Sequence, residues 1–482
     1  MADTLKYLRI YFVTWNVATK YPEEDLHELL DMNEINESKT LPDLYIVGLQ
    51  EVKAQPQNMV MDIFFDDPWT KSFRDILKKY DYVKIRTQRL QGLVLNIFCL
   101  RKHITHLRLI EAQYTRTGCG GMWGNKGAVS IRLNMYGINM CIVNTHLTPH
   151  DHLLTDRIMD YNTILTSHSF SSPDTSKILF HDYVFWIGDL NFRLHGEDLT
   201  ATEIDILVKK NELKSLLTRD QLKMVMEKGE AFSELNENPI TFPPTYKYEF
   251  ASQEFDLKRR PSWTDRILYR VNADIYDDVK LNAIQRNYKS HSNYVQSDHK
   301  PVTGEFDIVI RPNVEDHGVE FQPVSSWFID EENSVSYRLL GDARPASGDW
   351  VGLFHNEFSS LDEYIVYEYV GRGTESPFIV GSRYSSMLPA SSSGTWLIPR
   401  SCCILCHTKS LGGLRRTNKA KIRTPWRAFT RSKEDQSNEF PLANQNISSI
   451  VQLRPIKKKI IMQTIVVLMS RRRYFRSSRS DS

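Results

Sequence analysis

Val184, Phe185, Trp186 and Ile187 run directly into Gly188, Asp189, Leu190, Asn191, Phe192 and Arg193, so an apolar stretch stops abruptly on a carboxylate, an amide and a guanidinium. This reads as a buried strand whose C-terminal end opens on a site. A buried strand has no structural use for a bare charge at its tip, because an unpaired buried charge is strongly unfavourable. Gly-Asp and Asn are also ordinary turn residues, so the run alone permits a turn or a site. Four further segments repeat the pattern. One ends on Trp15 and Asn16, one on Gln50 and Glu51, and one on Asn144, Thr145 and His146, while Gln296, Ser297, Asp298 and His299 precede a last apolar run. Each could separately be a cap or a turn, but together they place Asn, Glu, His, Asp with Asn, and an Asp-His pair at one edge of a fold.

With 482 residues, 41% apolar and 25% charged, the chain has room for one large core and a smaller module. No apolar run approaches the roughly 20 residues of a membrane span, and the first residues lead into a strand without a long apolar leader. Three of the six cysteines (Cys99, Cys119, Cys141) are scattered and form no disulfide framework, which predicts a reducing compartment, the cytosol. The net charge of +2 divides unevenly: residues 401–482 carry 18 Lys+Arg against 4 Asp+Glu, which leaves residues 1–400 at −12. An acidic body argues against general nucleic-acid binding, and an anionic substrate must meet a local cluster of positive charge.

Periodicity predicts strands at 8–15, 44–49, 82–89 and 93–100, with the stretch to Tyr114 continuing an antiparallel meander. Residues 128–133 and 138–144 form a hairpin, and strands return at 184–189, 266–271, 279–286 and 301–309. Helices are expected at 23–32, 72–79, 151–166, 202–208 and 220–226, the last capped by Asp220. Long antiparallel runs interspersed with helices predict an α+β class, two sheets packed face to face with helices outside.

The edge residues suit a hard divalent cation, which takes oxygen ligands; magnesium uses one or two carboxylates and keeps several waters, as Glu51 with Asn16 would allow. His and Cys with zinc spacing are absent from this region. The chemistry this suggests is metal-assisted hydrolysis of a phosphate ester.

The five motifs in this order resemble the magnesium-dependent inositol polyphosphate 5-phosphatases, over roughly residues 8–308. More specific likeness lies in Phe242, Pro243, Pro244, Thr245, Tyr246, Lys247 and Tyr248, in the run from Arg260 through Trp263, Asp265 and Arg266 to Leu268, and in Trp123, Gly124, Asn125, Lys126 and Gly127. The resemblance implies a DNase I-like four-layer sandwich of two mixed β-sheets and outer helices. It makes Asp189 the general base, Asn191 the residue that orients nucleophile and phosphate, and Glu51 with Asn16 the magnesium site. His299, held by Asp265, and His146 become phosphate donors. Asp298 belongs either to the metal's outer shell or to the cap of the last strand. Tyr246, Lys247 and Arg260 are implied to contact a 4-phosphate, and Asn125 and Lys126 the 1-phosphate side. Met122 and Trp123 could dip into lipid or pack under their loop. The substrates implied are phosphatidylinositol 4,5-bisphosphate and phosphatidylinositol 3,4,5-trisphosphate, with soluble inositol polyphosphates besides, so that the enzyme dampens phosphoinositide signalling. A nuclease or other phosphodiesterase of the same fold, and a membrane-recruited scaffold, are the competing readings.

The domain boundaries expected are 1–310 catalytic, 311–319 linker, 320–400 a small all-β sandwich and 401–482 a basic tail, largely disordered. Asp349 to Phe354 and Tyr364 to Tyr369 resemble the SKICH domain of one subgroup of the same family. That likeness implies protein partners through this domain and peripheral recruitment to the endoplasmic reticulum or plasma membrane; a monomer without nucleic acid or transmembrane segment is expected. The likeness fades after Trp396 and Ile398, and a sandwich missing a strand would expose an edge. Cys402, Cys403, Cys406 and His407 contain a Cys-x-x-Cys-His pattern without a second ligand pair. Residues 460–469 are apolar between basic clusters, too short to span a bilayer; they could lie on one or be an aggregation-prone segment.

Overall fold

The apolar runs pair into two sheets. The computed structural model describes residues 6–33, 40–53, 66–118, 123–311, 319–321, 327–328, 332–339, 350–369, 382–387, 394–397, 458–461 and 464–468. In chain order its first part holds β1 (Tyr7–Asn16), β2 (Leu44–Gln50), α1 (Pro68–Leu77), β3 (Tyr82–Leu90), β4 (Leu93–Leu100), β5 (Leu107–Gly118), β6 (Trp123–Met135), β7 (Ile138–His146) and α2 (Leu154–Ser167). Then follow β8 (Tyr183–Asp189), α3 (Ala201–Lys209), α4 (Leu213–Leu217), α5 (Gln221–Glu227), β9 (Asp265–Val271), β10 (Ala283–Ser290) and β11 (Val302–Val309). The first sheet has the order β10-β11-β1-β2-β4-β3, the second β5-β6-β7-β8-β9.

Each sheet has one parallel pair at its heart, and this is what gathers the polar tips. In β1 and β2, Asn16 lies opposite Gln50. In β7 and β8, His146 lies opposite Asp189, and antiparallel β9 brings Asp265 opposite Asp189 from the other side. Parallel neighbours end side by side, so polar residues at their C-terminal ends share one rim. Between the sheets pack Phe12, Leu95, Ile131, Phe185, Ile187 and Phe306. Trp15, Trp69 and Phe73 form a second core under α1, and Tyr161, Trp186 and Phe232 a third under α2 and α5. Every residue of β2 and β8 is buried, because both faces of these strands are covered; their continuous rather than alternating hydrophobicity follows. Gly188 has φ +138° and a Cβ there would lie 2.1 Å from the Thr145 carbonyl oxygen, so only glycine lets β8 close on β7 just before Asp189.

The α+β architecture is as expected, with local corrections. Residues 23–32 form turns, not a helix: Asp25 turns back on His27, and the Glu23 and Glu24 N–H groups donate to Gln296 Oε1 from 272 residues or more away. The helix expected from residue 72 begins at Pro68, because Asp67 caps the Trp69 and Thr70 N–H groups. β10 lies four residues beyond 279–286, its register set by β11 with a bulge between Gln285 and Asn287. Nor is there a meander to Tyr114: β3 and β4 are a hairpin in the first sheet, whereas β5 crosses into the second. Met122 and residues 402–407 and 415–431 lie outside the described residues.

Beyond residue 318 the structure describes β12 (Val319–Phe321), β13 (Trp327–Phe328), β14 (Glu332–Leu339), β15 (Trp350–Phe354), β16 (Tyr364–Tyr369), β17 (Ser382–Met387), β18 (Gly394–Leu397), β19 (Lys458–Ile461) and β20 (Thr464–Leu468). They form three small sheets. β20 pairs with β15 and β19 with β18, so parts of the apolar segment at 460–469 serve as strands of this module.

The turn between β15 and β16 reaches onto the first sheet. β3 is an edge strand, and the Lys84 N–H donates to the Ser359 carbonyl (2.8 Å) while the Leu361 N–H donates to the Lys84 carbonyl (3.0 Å). Lys84 is 3% exposed and its ammonium pairs with Asp66 and Asp362. Arg101 donates to the Phe358 carbonyl (2.8 Å) and lies over that ring, 4.4 Å from its centre. Phe354, Phe358 and Leu361 thereby join the inter-sheet core. Trimming Leu361→Ala removes buried contacts across this junction and should cost about 2–5 kcal/mol. Thermal unfolding should then show residues 6–311 melting earlier; an unchanged melting temperature would mean the two parts are stabilised separately.

Candidate active site

Asp189 ends β8 with 1% of its surface exposed and donors on every side. Asn16 Nδ2 donates to its Oδ2 at 3.0 Å and lies 3.3 Å from Glu51 Oε1. His146 Nε2 is 3.3 Å from the same Asp189 oxygen and His299 Nε2 is 3.8 Å away. The Asn191 N–H donates to Asp189 Oδ1 at 3.1 Å, and Asn191 itself is anchored through Nδ2 to the Leu147 carbonyl at 3.0 Å. Glu51 and Asn191 both hold left-handed backbone, φ 56° and 58°, a conformation that concentrates at functional sites in side chains other than glycine.

The charges are decided by this packing. Burial disfavours a charged His299, but the carboxylates of Asp265, with Oδ2 2.9 Å from Nδ1, and of Asp189 outweigh it and raise its pKa to about 9. His299 is therefore a cation at neutral pH. Burial likewise opposes ionisation of Asp189, yet the imidazoles of His146 and His299 and the Lys126 ammonium hold its carboxyl well below the usual range. His146 goes the other way: burial and then Lys126 lower its pKa, so it is neutral. Lys126 Nζ lies 2.5 Å from His146 Nε2, and burial lowers its own pKa. Asp265 also accepts from Thr245 Oγ1 (2.6 Å) and Thr264 Oγ1 (2.8 Å), which fixes the carboxylate that orients His299.

Asp189, Asp265 and His299 lie close enough to share a metal ion, with ligand atoms within 4.8 Å of one another. A cationic imidazole is no ligand, however, and this trio reads as a proton-holding relay. Glu51, whose side chain is 41% exposed, and the nearby Asp189 carboxylate offer the oxygen donors that a hard divalent cation requires, while Asn16 turns its Nδ2 toward both and its Oδ1 accepts from the Ala18 N–H (3.0 Å). These residues fit such an ion.

The remaining expected residues fall around this centre. The Tyr246 ring lies tilted against that of His299, ring centres 4.4 Å apart. Lys247 Nζ sits between Asp256 (3.5 Å) and Asp298 (3.7 Å). Asp298 thus faces Lys247, and its carbonyl accepts from the Tyr248 N–H (2.9 Å). Arg260 reaches Asp151 only at 3.9 Å, and its Nε and Nη2 are buried without a hydrogen-bond partner. Asn125 is exposed near the start of β6. Lys126, expected toward a remote phosphate, instead points into the centre. The sequence reading assigned nothing to Arg193, although it closes the apolar run. It is 4% exposed, donates through Nη2 to Asn191 Oδ1 (2.6 Å), and lies over the Tyr246 ring at 4.5 Å. A guanidinium so soon after a fully buried strand was the signal available. Beneath the site, Gln50 Nε2 donates to Asn144 Oδ1 (2.7 Å), tying the two sheets together.

Residues 13–305 match the Endonuclease/Exonuclease/phosphatase family 2, and residues 319–386 the SKICH domain. Inositol polyphosphate 5-phosphatase K of Mus musculus is 36% identical over 376 residues, covering 76% of this chain and 79% of that protein. Phosphatidylinositol 4,5-bisphosphate 5-phosphatase A of Mus musculus is 35% identical over 74% of this chain, which spans only 36% of that longer protein. Among solved structures, the inositol polyphosphate 5-phosphatase domain of SPsynaptojanin, in complex with inositol (1,4)-bisphosphate and calcium ion, aligns with a TM-score of 0.54 and 30% identity over 63% of this chain and 85% of that one.

Proposed function

We infer, from the premise that this chain belongs to the inositol polyphosphate 5-phosphatase family and carries a SKICH domain, that it is a phosphoric monoester hydrolase removing the 5-phosphate of phosphatidylinositol 4,5-bisphosphate and phosphatidylinositol 3,4,5-trisphosphate. Soluble inositol polyphosphates sharing the 4,5-pattern are further substrates. The observation that carries this reading is the Asp189 carboxylate, ionised although buried, with a cationic imidazole 3.8 Å away.

In this reading the scissile phosphate lies among His299, Lys126, His146 and Asn191. His299 donates through Nε2 to a phosphate oxygen, its cationic form maintained by Asp265. Lys126 adds positive charge and His146 a neutral N–H. Asp189 accepts the proton of the attacking water. Its proton affinity is low in the free site, and a phosphate dianion seated beside it raises that affinity at the moment the proton must move. Arg193 keeps Asn191 and Tyr246 in place. Magnesium held by Glu51, with Asn16 beside it, would neutralise phosphate charge and polarise the phosphoryl oxygens. Tyr246, Lys247 and the partnerless guanidinium nitrogens of Arg260 receive the 4-phosphate, with Asn125 toward the 1-phosphate and Asp298 holding Lys247 in position.

No helix among the described residues is long and apolar enough to cross a membrane. We place the enzyme in the cytosol, recruited peripherally to membranes, with protein partners on the SKICH domain. Phosphate release from a panel of short-chain phosphoinositides and inositol phosphates tests the activity. Loss of the 5-phosphate alone, abolished by EDTA and restored by magnesium, is expected; a well-folded protein inert on every 5-phosphorylated compound would refute it.

A further inference from the structure

Tyr21, Phe250 and Leu257 are large apolar side chains that stay 43%, 49% and 42% exposed. Two of them are capped by ammonium groups from a neighbouring segment: Lys20 Nζ lies 4.6 Å from the centre of the Phe250 ring, and Lys53 Nζ 5.0 Å from that of Tyr21. These pairs are built from the segments that carry the site. Lys20 and Tyr21 follow Asn16 by four and five residues, Lys53 follows Glu51 by two, and Phe250 follows Lys247 by three. The segments are also pinned. The Thr19 N–H donates to the Glu51 carbonyl (2.9 Å), Trp69 Nε1 to the Lys20 carbonyl (2.8 Å), and the Ala251 N–H to the Val295 carbonyl (2.8 Å). The Glu249 N–H donates to the Glu254 carbonyl (2.9 Å) and closes the turn that presents Phe250. Lys20, Tyr21, Lys53 and Phe250 therefore form a pinned, exposed rim on the segments that lead out of Asn16, Glu51 and Lys247.

Resting on the phosphoinositide reading above, we propose that this rim is a membrane-docking surface whose partner is the anionic face of a phospholipid bilayer. The inositol ring of such a substrate is tethered to a bilayer, whereas Asp189 is buried. The headgroup reaches it only when the edge of the opening meets the lipid surface. Aromatic rings with a polar tip or a cationic cap settle at the headgroup level, and exposed lysines are drawn to anionic lipid. Four side chains are too few for a stable protein interface, which needs about 800 Å² from each partner. Glu23, Glu24 and Glu249 lie in the same segments, and Glu24 accepts from the Val295 N–H (2.8 Å). They temper the electrostatic attraction, so the rings carry the larger share of the contact.

The test uses the full chain and two double variants, Tyr21→Ser with Phe250→Ser and Lys20→Gln with Lys53→Gln. Each is assayed on a soluble short-chain phosphatidylinositol 4,5-bisphosphate. Each is also assayed on vesicles of phosphatidylcholine, phosphatidylserine and long-chain phosphatidylinositol 4,5-bisphosphate, and cosedimented with vesicles of phosphatidylcholine and phosphatidylserine alone. Vesicle turnover and cosedimentation should fall on the order of tenfold, with soluble turnover unchanged. Wild-type values on vesicles, or an equal fall on both substrates, would overturn the proposal. Should the wild-type chain release no phosphate from either substrate, the activity itself fails. Cosedimentation with substrate-free vesicles still reads the rim: binding lost in the variants supports it, and binding unchanged refutes it.

Discussion

Asp189→Asn should lower phosphate release by about three to four orders of magnitude while leaving the fold intact. The amide keeps the shape of the carboxylate and its oxygen can still accept from the Asn191 N–H, so β8 keeps its course, although its NH2 group then faces the Asn16 amide that donated to Asp189 Oδ2. What is lost is the negative charge to which the proposed mechanism gives the water's proton and that helps keep His299 cationic. The measurement is single-turnover release of phosphate at saturating magnesium, beside circular dichroism of the same preparation. A variant retaining a tenth of the activity would remove Asp189 from the role of base and direct attention to His146, which is neutral and only 3.3 Å away.

Asp265→Asn has the next largest expected effect, and it appears in the pH profile. Below a pH of about 9 His299 carries its proton and can donate to the phosphate; above it the proton is gone, so wild-type activity should descend through pH 9 on the alkaline side. Because this folded pKa lies above the ordinary value near 6.5, the stabilising contribution of His299 is complete below about pH 6.5 and disappears as pH rises through 9. Replacing Asp265 removes the largest influence raising that pKa. The alkaline limb should move down by about one to three pH units, and kcat near neutrality should fall by a factor on the order of 100. A descending limb that stays at pH 9 in the variant would assign it to another group, such as Lys126.

Much of this site was legible because strands advertise themselves. Apolar runs that end on Asn16, Glu51, His146 and Asp189 could be read from spacing and hydrophobicity, and the run through Trp263 and Asp265 identified the family. The helix expected at 23–32 failed because periodicity is local, whereas those residues bond to Gln296 from the far end of the domain. The direction of the Lys126 side chain was not legible for a related reason. Its direction depends on β6 lying against β7, where Gly127 sits opposite His146, and no spacing within one segment reports that. Arg193 was visible as a residue but not as a support, since its partners are a side-chain oxygen two residues away and a ring 53 positions on.

The sequence by itself determined the α+β class, the family, and which residue types stand at the strand ends. Only the tertiary structure decided their charges and their company. A pKa depends on burial and on neighbours a few ångströms away, so an imidazole at position 299 becomes a cation and one at 146 does not, which residue type alone does not distinguish. Likewise the junction of Lys84 and Arg101 with the turn at 355–363, and the ammonium-capped rings of Tyr21 and Phe250, join segments more than 200 residues apart or from separate loops. Such pairings are fixed by how the sheets stack, and a linear chain carries no record of that until its surfaces meet.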